Sequence, residues 1–128
     1  MDPLPEEVKS FLEANIDSVD QLEILRVLGE DPQKEWQSDD LAREVQTAPQ
    51  TIGSHLTVLQ ARGLLMVQTR DAKLYCRYGP AGSELAERVA RLLQVYRERP
   101  VSMIKLVYAT ARGPLKTFAE AFRLKKES

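Results

Sequence analysis

A single cysteine, Cys76, and a single histidine, His55, stand in a chain of 128 residues. One thiol excludes an intramolecular disulfide, and one Cys with one His leaves no cysteine- or histidine-rich metal site. No apolar run approaches the roughly 20 residues that a membrane span requires. The opening MDPLPEEVKS is acidic and lacks the basic region and apolar core of a secretory leader, so the expected location is cytoplasmic. No glycine-rich phosphate loop is present, and a lone Cys and a lone His do not suggest a catalytic dyad. The inventory therefore argues against an enzyme and implies neither metal nor cofactor.

What is there is ordinary in bulk: 43% hydrophobic and 29% charged residues, as in a soluble globular protein. The net charge of −1 conceals a separation. Residues 1–47 hold 4 Lys and Arg against 13 Asp and Glu, whereas residues 48–128 hold 14 against 6. A near-neutral total would argue against nucleic acid, but binding follows the local field of a face.

The apolar spacing changes along the chain. In PEEVKSFLEAN, Pro5 stands at a plausible first helical position, followed by two acids, and Val8 and Leu12 lie on one side. Ser18 precedes VDQLEILRVLGE, whose Val19, Leu22, Leu25 and Leu28 form a helical stripe that Gly29 ends. Trp36 sits among polar residues and suggests one short extended strand with an inward ring. Ser38 opens a third helix, DDLAREVQ. In TAPQTIGSHLTVLQARG, Thr47 and Gln50 have capping-box spacing. Ile52, Leu56 and Leu59 form the buried stripe there, and Gly63 stops the helix.

The period then falls to two. Leu65, Val67 and Thr69 alternate with Met66, Gln68 and Arg70, and Leu74, Cys76 and Tyr78 alternate with Tyr75 and Arg77. Asp71-Ala72 lies between the runs, which predicts a β-hairpin with an unusual turn. Cys76 falls among the inward residues and reads as a small core side chain. Gly79-Pro80 and Gly82 end the hairpin. Ser83 then caps ELAERVARLLQVYRER, with Leu85, Val89, Leu92 and Tyr96 along one side, and Pro100 ends that helix. VSMIKLVYATA predicts a short apolar helix. LKTFAEAFRLKK predicts an amphipathic one with Leu115, Phe118, Ala119 and Phe122 on one side.

Helix, short strand, helix, tight turn, helix and hairpin, in that order, define a winged helix-turn-helix over residues 18–79. The fold class is mainly α with a small β-hairpin wing, flanked by N- and C-terminal helices. Residues 1–82 make the winged helix with its N-terminal helix, and 83–128 a helical extension. The helix at 48–62 is the expected recognition helix and the hairpin at 64–78 the wing. With Ile52, Leu56 and Leu59 inward, Gln50, Thr51, Ser54, His55 and Arg62 are exposed. Gln pairs with adenine, and Ser or Thr reaches either kind of base. Arg70 and Lys73 bracket the hairpin tip, with Arg77 behind them, where cations meet phosphates.

The run APQTIGSHLTVLQARGLLMVQTRDAKLYCRYGP resembles the recognition helix and wing of ArsR-type, and related MarR-like, bacterial regulators. The resemblance rests on Ile52, His55-Leu56, Val58-Leu59, Gly63-Leu64 and the aromatic second wing strand, and it covers about half the chain. It implies a DNA-binding transcription regulator with Thr51, Ser54 and His55 facing double-stranded DNA. The family usually carries Ser and then a basic or amide residue before its His-Leu pair; here Gly53-Ser54 stands there. The paired Cys or His ligands of metal-sensing members are missing. Regulators of this fold commonly dimerise through flanking helices, which makes Leu85, Val89, Leu92 and Tyr96 the candidate interface. The alternative is a winged-helix adaptor that contacts a second regulatory protein, with the acidic first 47 residues as one binding surface and the C-terminal helices as another, without sequence-specific DNA binding of its own.

Overall fold

Ser18 does what its position predicts. Its backbone is extended, and its hydroxyl accepts the backbone N–H of Gln21, which satisfies one of the open donors at the start of a helix. The computed structural model describes residues 4–110. Among these, six helices and three strands follow in the order α1 (Glu6–Asn15), α2 (Val19–Glu30), β1 (Trp36–Gln37), α3 (Ser38–Val45), α4 (Pro49–Ala61), β2 (Leu65–Arg70), β3 (Lys73–Tyr78), α5 (Ser83–Glu98) and α6 (Pro100–Thr110). The expected helix LKTFAEAFRLKK lies outside the described residues. No helix among the described residues is long and apolar enough to cross a membrane.

The strands form one antiparallel sheet in the order β1-β3-β2. Trp36 and Val67 flank Cys76 on either side, so the row nearest the helices is apolar. The hairpin closes through Asp71 and Ala72, both at positive φ (52° and 65°), between the paired residues Arg70 and Lys73. Two left-handed residues give the turn a twist that matches a two-residue hairpin. The sheet, α2, α3 and α4 make the winged helix-turn-helix that the spacing predicts.

Gly63 ends α4 by a specific route. It takes φ +78°, its N–H donates to the carbonyl of Gln60 at 2.9 Å, and the N–H of Leu64 donates to that of Leu59 at 3.0 Å. These are the two reverse bonds of a Schellman cap. The carbonyl of Gly63 then accepts the N–H of Ala81 at 2.9 Å, so the outgoing end of the hairpin is tied to its incoming end.

Several termini depart from their sequence signals. Pro5 is the residue before α1 rather than its first residue. Gly29 does not end α2, which runs to Glu30. Ser38 and Ser83 are first residues of their helices, not caps; Gln37 and Gly82 occupy the cap positions without a side-chain bond. The Thr47–Gln50 capping box does not form either. Ala48 precedes α4, and the Thr47 hydroxyl donates to Asp20 at 2.9 Å instead.

The helical extension is not separate in packing. One apolar cluster runs from Val8, Phe11 and Leu12 through Leu25, Leu56 and Leu65 to Leu92, Met103 and Val107. This corrects the expected dimer stripe. Val89 and Leu92 are fully buried, Tyr96 is 5% exposed and Leu85 is half-buried, all within the single chain. The stripe reads as an interface in sequence because burial by a partner and burial by α1 and α2 need the same spacing. Tyr96 also reaches α2 with its hydroxyl, which donates to Glu23, and Glu23 is doubly bonded to Arg26. The Arg26 hydrogen bonds hold the Glu23 carboxyl below its usual range, and burial pushes the Tyr96 hydroxyl up.

Candidate nucleic-acid interface

Pro49 starts α4 at a position whose N–H would lack a helical partner in any case. Ile52, Leu56 and Leu59 are buried against the core, which turns Gln50, Thr51, Ser54 and Thr57 to solvent. Three of these side chains are hydroxyls that donate back along the helix: Thr51 to the Ala48 carbonyl, Ser54 to that of Thr51, and Thr57 to that of Gly53. Their protons are therefore engaged, and their oxygens face outward as acceptors. Between Val45 and Ala61 the sequence holds no Lys, Arg, Asp or Glu.

Gly53 does not face outward with these residues. A Cβ placed on it would lie 3.5 Å from Leu74 Cδ1 on β3, so its side of α4 looks toward the wing. His55 is turned inward as well, with its side chain 20% exposed. Its Nδ1 lies 3.3 Å from the Nε2 of Gln21, a residue that is 2% exposed. The Gln21 Oε1 already accepts the N–H of Asp17 at 2.8 Å, so Nε2 is the donor and His55 Nδ1 the acceptor. The proton of neutral His55 then sits on Nε2, 3.8 Å from Asp20 Oδ2. The imidazole links α4 to α2 and only borders the outer face.

Arg62 is the clearest departure from the expected DNA-facing set. Its guanidinium donates to the Asn15 carbonyl at 2.6 Å and to the Asp17 carboxylate at 3.1 Å. It fastens the end of α4 to the α1–α2 corner and leaves the outer face without it.

The wing brings the remaining cations together. Lys73 and Arg77 are exposed. Arg70 stands opposite Lys73 at the tip, a like-charge pairing that by itself opposes the turn. Two neighbours offset it: the guanidinium is bonded to Glu35 and lies 4.1 Å from the centre of the Tyr75 ring. Lys34 adds a further cation, 3.7 Å above the Trp36 ring. Exposed pairs of this kind are worth about 0–1 kcal/mol, so Arg70 can exchange Glu35 for another anion at little cost.

Cys76 is buried, 1% exposed, behind this surface. Burial first, and the charge of Glu35 second, push its thiol up to about 12. No group of three or more metal-ligating side chains clusters among the described residues. The sequence reading did not identify Glu35, Asp20 or Gln21, since each acts on a residue far along the chain, nor Lys34, whose contact is with the nearby Trp36 ring. Thr57 was legible as the next exposed position after Ser54.

No known family model matches the chain, and no curated protein matches it either.

Proposed function

We propose that this chain is a sequence-specific DNA-binding regulator that works in the cytoplasm as a homodimer. The observation that carries the reading is the shared setting of two features. An exposed, uncharged polar face on α4 (Gln50, Thr51, Ser54, Thr57) adjoins a hairpin whose exposed cations are Arg70, Lys73 and Arg77. A helix of this kind fits the major groove and reads base edges, while the wing neutralises phosphates. The likeness of 18–79 to ArsR-type regulators supports the same reading. With the α5 stripe internal, the homodimer needs another surface. Val101 and Tyr108, two turns apart on α6 and 63% and 64% exposed, offer the apolar one.

A second reading, the protein-binding adaptor, draws on one observation: Glu35 engages Arg70, and α4 itself carries no cation. Binding to promoter fragments at two salt concentrations separates the two. A DNA binder weakens as salt rises, with a slope set by its phosphate contacts. Arg70→Glu with Lys73→Glu abolishes that binding while the fold persists. No binding even at low salt overturns the DNA reading and leaves the adaptor.

A further inference from the structure

The polar face of α4 is chemically one-sided. Thr51, Ser54 and Thr57 are exposed, and each hydroxyl proton is directed back into the helix. Thr51 donates to the Ala48 carbonyl at 2.9 Å, Ser54 to that of Thr51 at 3.0 Å and Thr57 to that of Gly53 at 2.9 Å. Thr47 reinforces this at the start of the helix. Its own proton goes to Asp20, so its oxygen, 3.4 Å from that of Thr51, is a second inward acceptor. What the three side chains turn outward is oxygen lone pairs. The exposed carboxamides Gln50 and Gln60 stand at the two ends of the run and carry both donors and an acceptor. The Nε2–H of His55 faces Asp20, 3.8 Å away.

We propose that these three hydroxyls act as acceptors in the major groove, each selecting a base with an exocyclic amino group, adenine or cytosine, over guanine or thymine on the facing strand. The inference rests on the DNA-binding reading above and deepens it. In the major groove the amino groups of adenine and cytosine are the donors, whereas guanine N7 and O6 and thymine O4 only accept. Every base pair holds one amino group there, so an acceptor reads which strand bears it. The commonest guanine contact comes from Arg or Lys, and α4 has neither. To reach guanine, a hydroxyl must turn its proton outward and give up its bond to the helix carbonyl. To reach an amino group it moves nothing.

The spacing suits the same readout. Thr51, Ser54 and Thr57 follow at intervals of three residues, about 4.5 Å along the helix axis. Base pairs follow at about 3.4 Å, so each hydroxyl meets a base pair of its own.

The test selects binding sites for the full chain from a library of random DNA duplexes at low salt, then modifies the enriched site base by base. N6-methyladenine and N4-methylcytosine keep base pairing and put a methyl group where the major-groove N–H was. 7-Deazaguanine removes the N7 acceptor. The expected site carries adenine or cytosine at the contacted positions, and methylation at each weakens binding about fivefold, as the loss of one hydrogen bond does. 7-Deazaguanine within those positions, on either strand, changes nothing. Ser54→Ala, a substitution that favours the helix, loses the same factor at an unchanged salt slope and becomes indifferent to one of the methyl groups. Four outcomes overturn this inference and leave DNA binding standing: sensitivity to 7-deazaguanine there, tolerance of every methylated base, full affinity in Ser54→Ala, or retention of the library without enrichment. No retention at all overturns the DNA reading itself, and this inference with it.

Discussion

The guanidinium of Arg62 lies 2.6 Å from the carbonyl oxygen of Asn15 and joins the end of α4 to the end of α1 across 47 positions of sequence. Asp17 completes the pair at 3.1 Å, with both side chains about a quarter exposed. Charge-assisted bonds of this kind contribute about 1.5–3 kcal/mol. Arg62→Ala is therefore expected to lower the unfolding free energy in urea by about 2 kcal/mol. It should leave the salt slope of DNA binding unchanged, whereas Lys73→Ala reduces that slope by about 1. A stable Arg62→Ala protein with a reduced slope would return Arg62 to the DNA-facing set.

The hairpin tip offers a stabilising substitution. Ala72 sits at φ 65°, where a Cβ costs about 1–2 kcal/mol and glycine costs nothing steric. Asp-Gly is the sequence this turn prefers. Ala72→Gly should raise the urea midpoint by the equivalent of about 1 kcal/mol, with the dependence on urea unaltered. A lower midpoint would show that the alanine is not strained.

Gly53 makes a similar case from inside a helix. Its absent Cβ would meet Leu74 at 3.5 Å, an ordinary contact. Gly53→Ala should therefore gain up to about 1 kcal/mol from helix propensity, read as a higher melting temperature. DNA binding should persist, because this side of α4 faces β3. Loss of binding with the fold intact would place Gly53 against the ligand after all.

Glu35 competes for Arg70. Glu35→Gln removes both that competition and a repulsive charge beside the wing. The expected result is tighter DNA binding by up to about fivefold, corresponding to the 1 kcal/mol upper value for an exposed pair. Weaker binding would mean that Glu35 orients Arg70 rather than occupying it.

At high pH the buried thiol becomes a liability. Cys76 is raised from its ordinary 9.0 to about 12, so the folded state favours the neutral form. Its contribution is fully present below about pH 9 and is lost as pH rises from there through about 12. Unfolding free energy should fall over that window, and Cys76→Ala should flatten the fall. At pH 8 the native thiol should resist iodoacetamide and react only after denaturation. Rapid alkylation of the native protein would contradict this burial.

The periods in the sequence were enough for the winged helix, because periods record burial and every buried stripe here is local. Ile52, Leu56 and Leu59 could face only one way once α4 formed. The cap signals were less reliable. Ser38 looks like a cap, but Gln37 must stay extended to pair with Tyr75, which leaves the cap position to Gln37 and puts Ser38 inside the helix. Thr47 has a cap's hydroxyl, yet Asp20 captures it from 27 positions away. The same limit governs the candidate site. Gln50, Thr51 and Ser54 follow from helical spacing, but no spacing reveals that Asn15 takes Arg62 or that Glu35 takes Arg70. Nor does the α5 stripe say whether its cover is the same molecule or another.

The bond between Ala81 N–H and the Gly63 carbonyl gives the wing a mechanical character. It clamps both roots of the hairpin to the end of α4, so the wing is a cantilever fixed at its base. Displacement is then greatest at the far end, around Asp71 and Ala72. Lys73 and Arg70 sit at that compliant end, and Gln50, Thr51 and Ser54 on the stiff support. A surface approaching this protein meets adjustable positive charge first and a rigid template second.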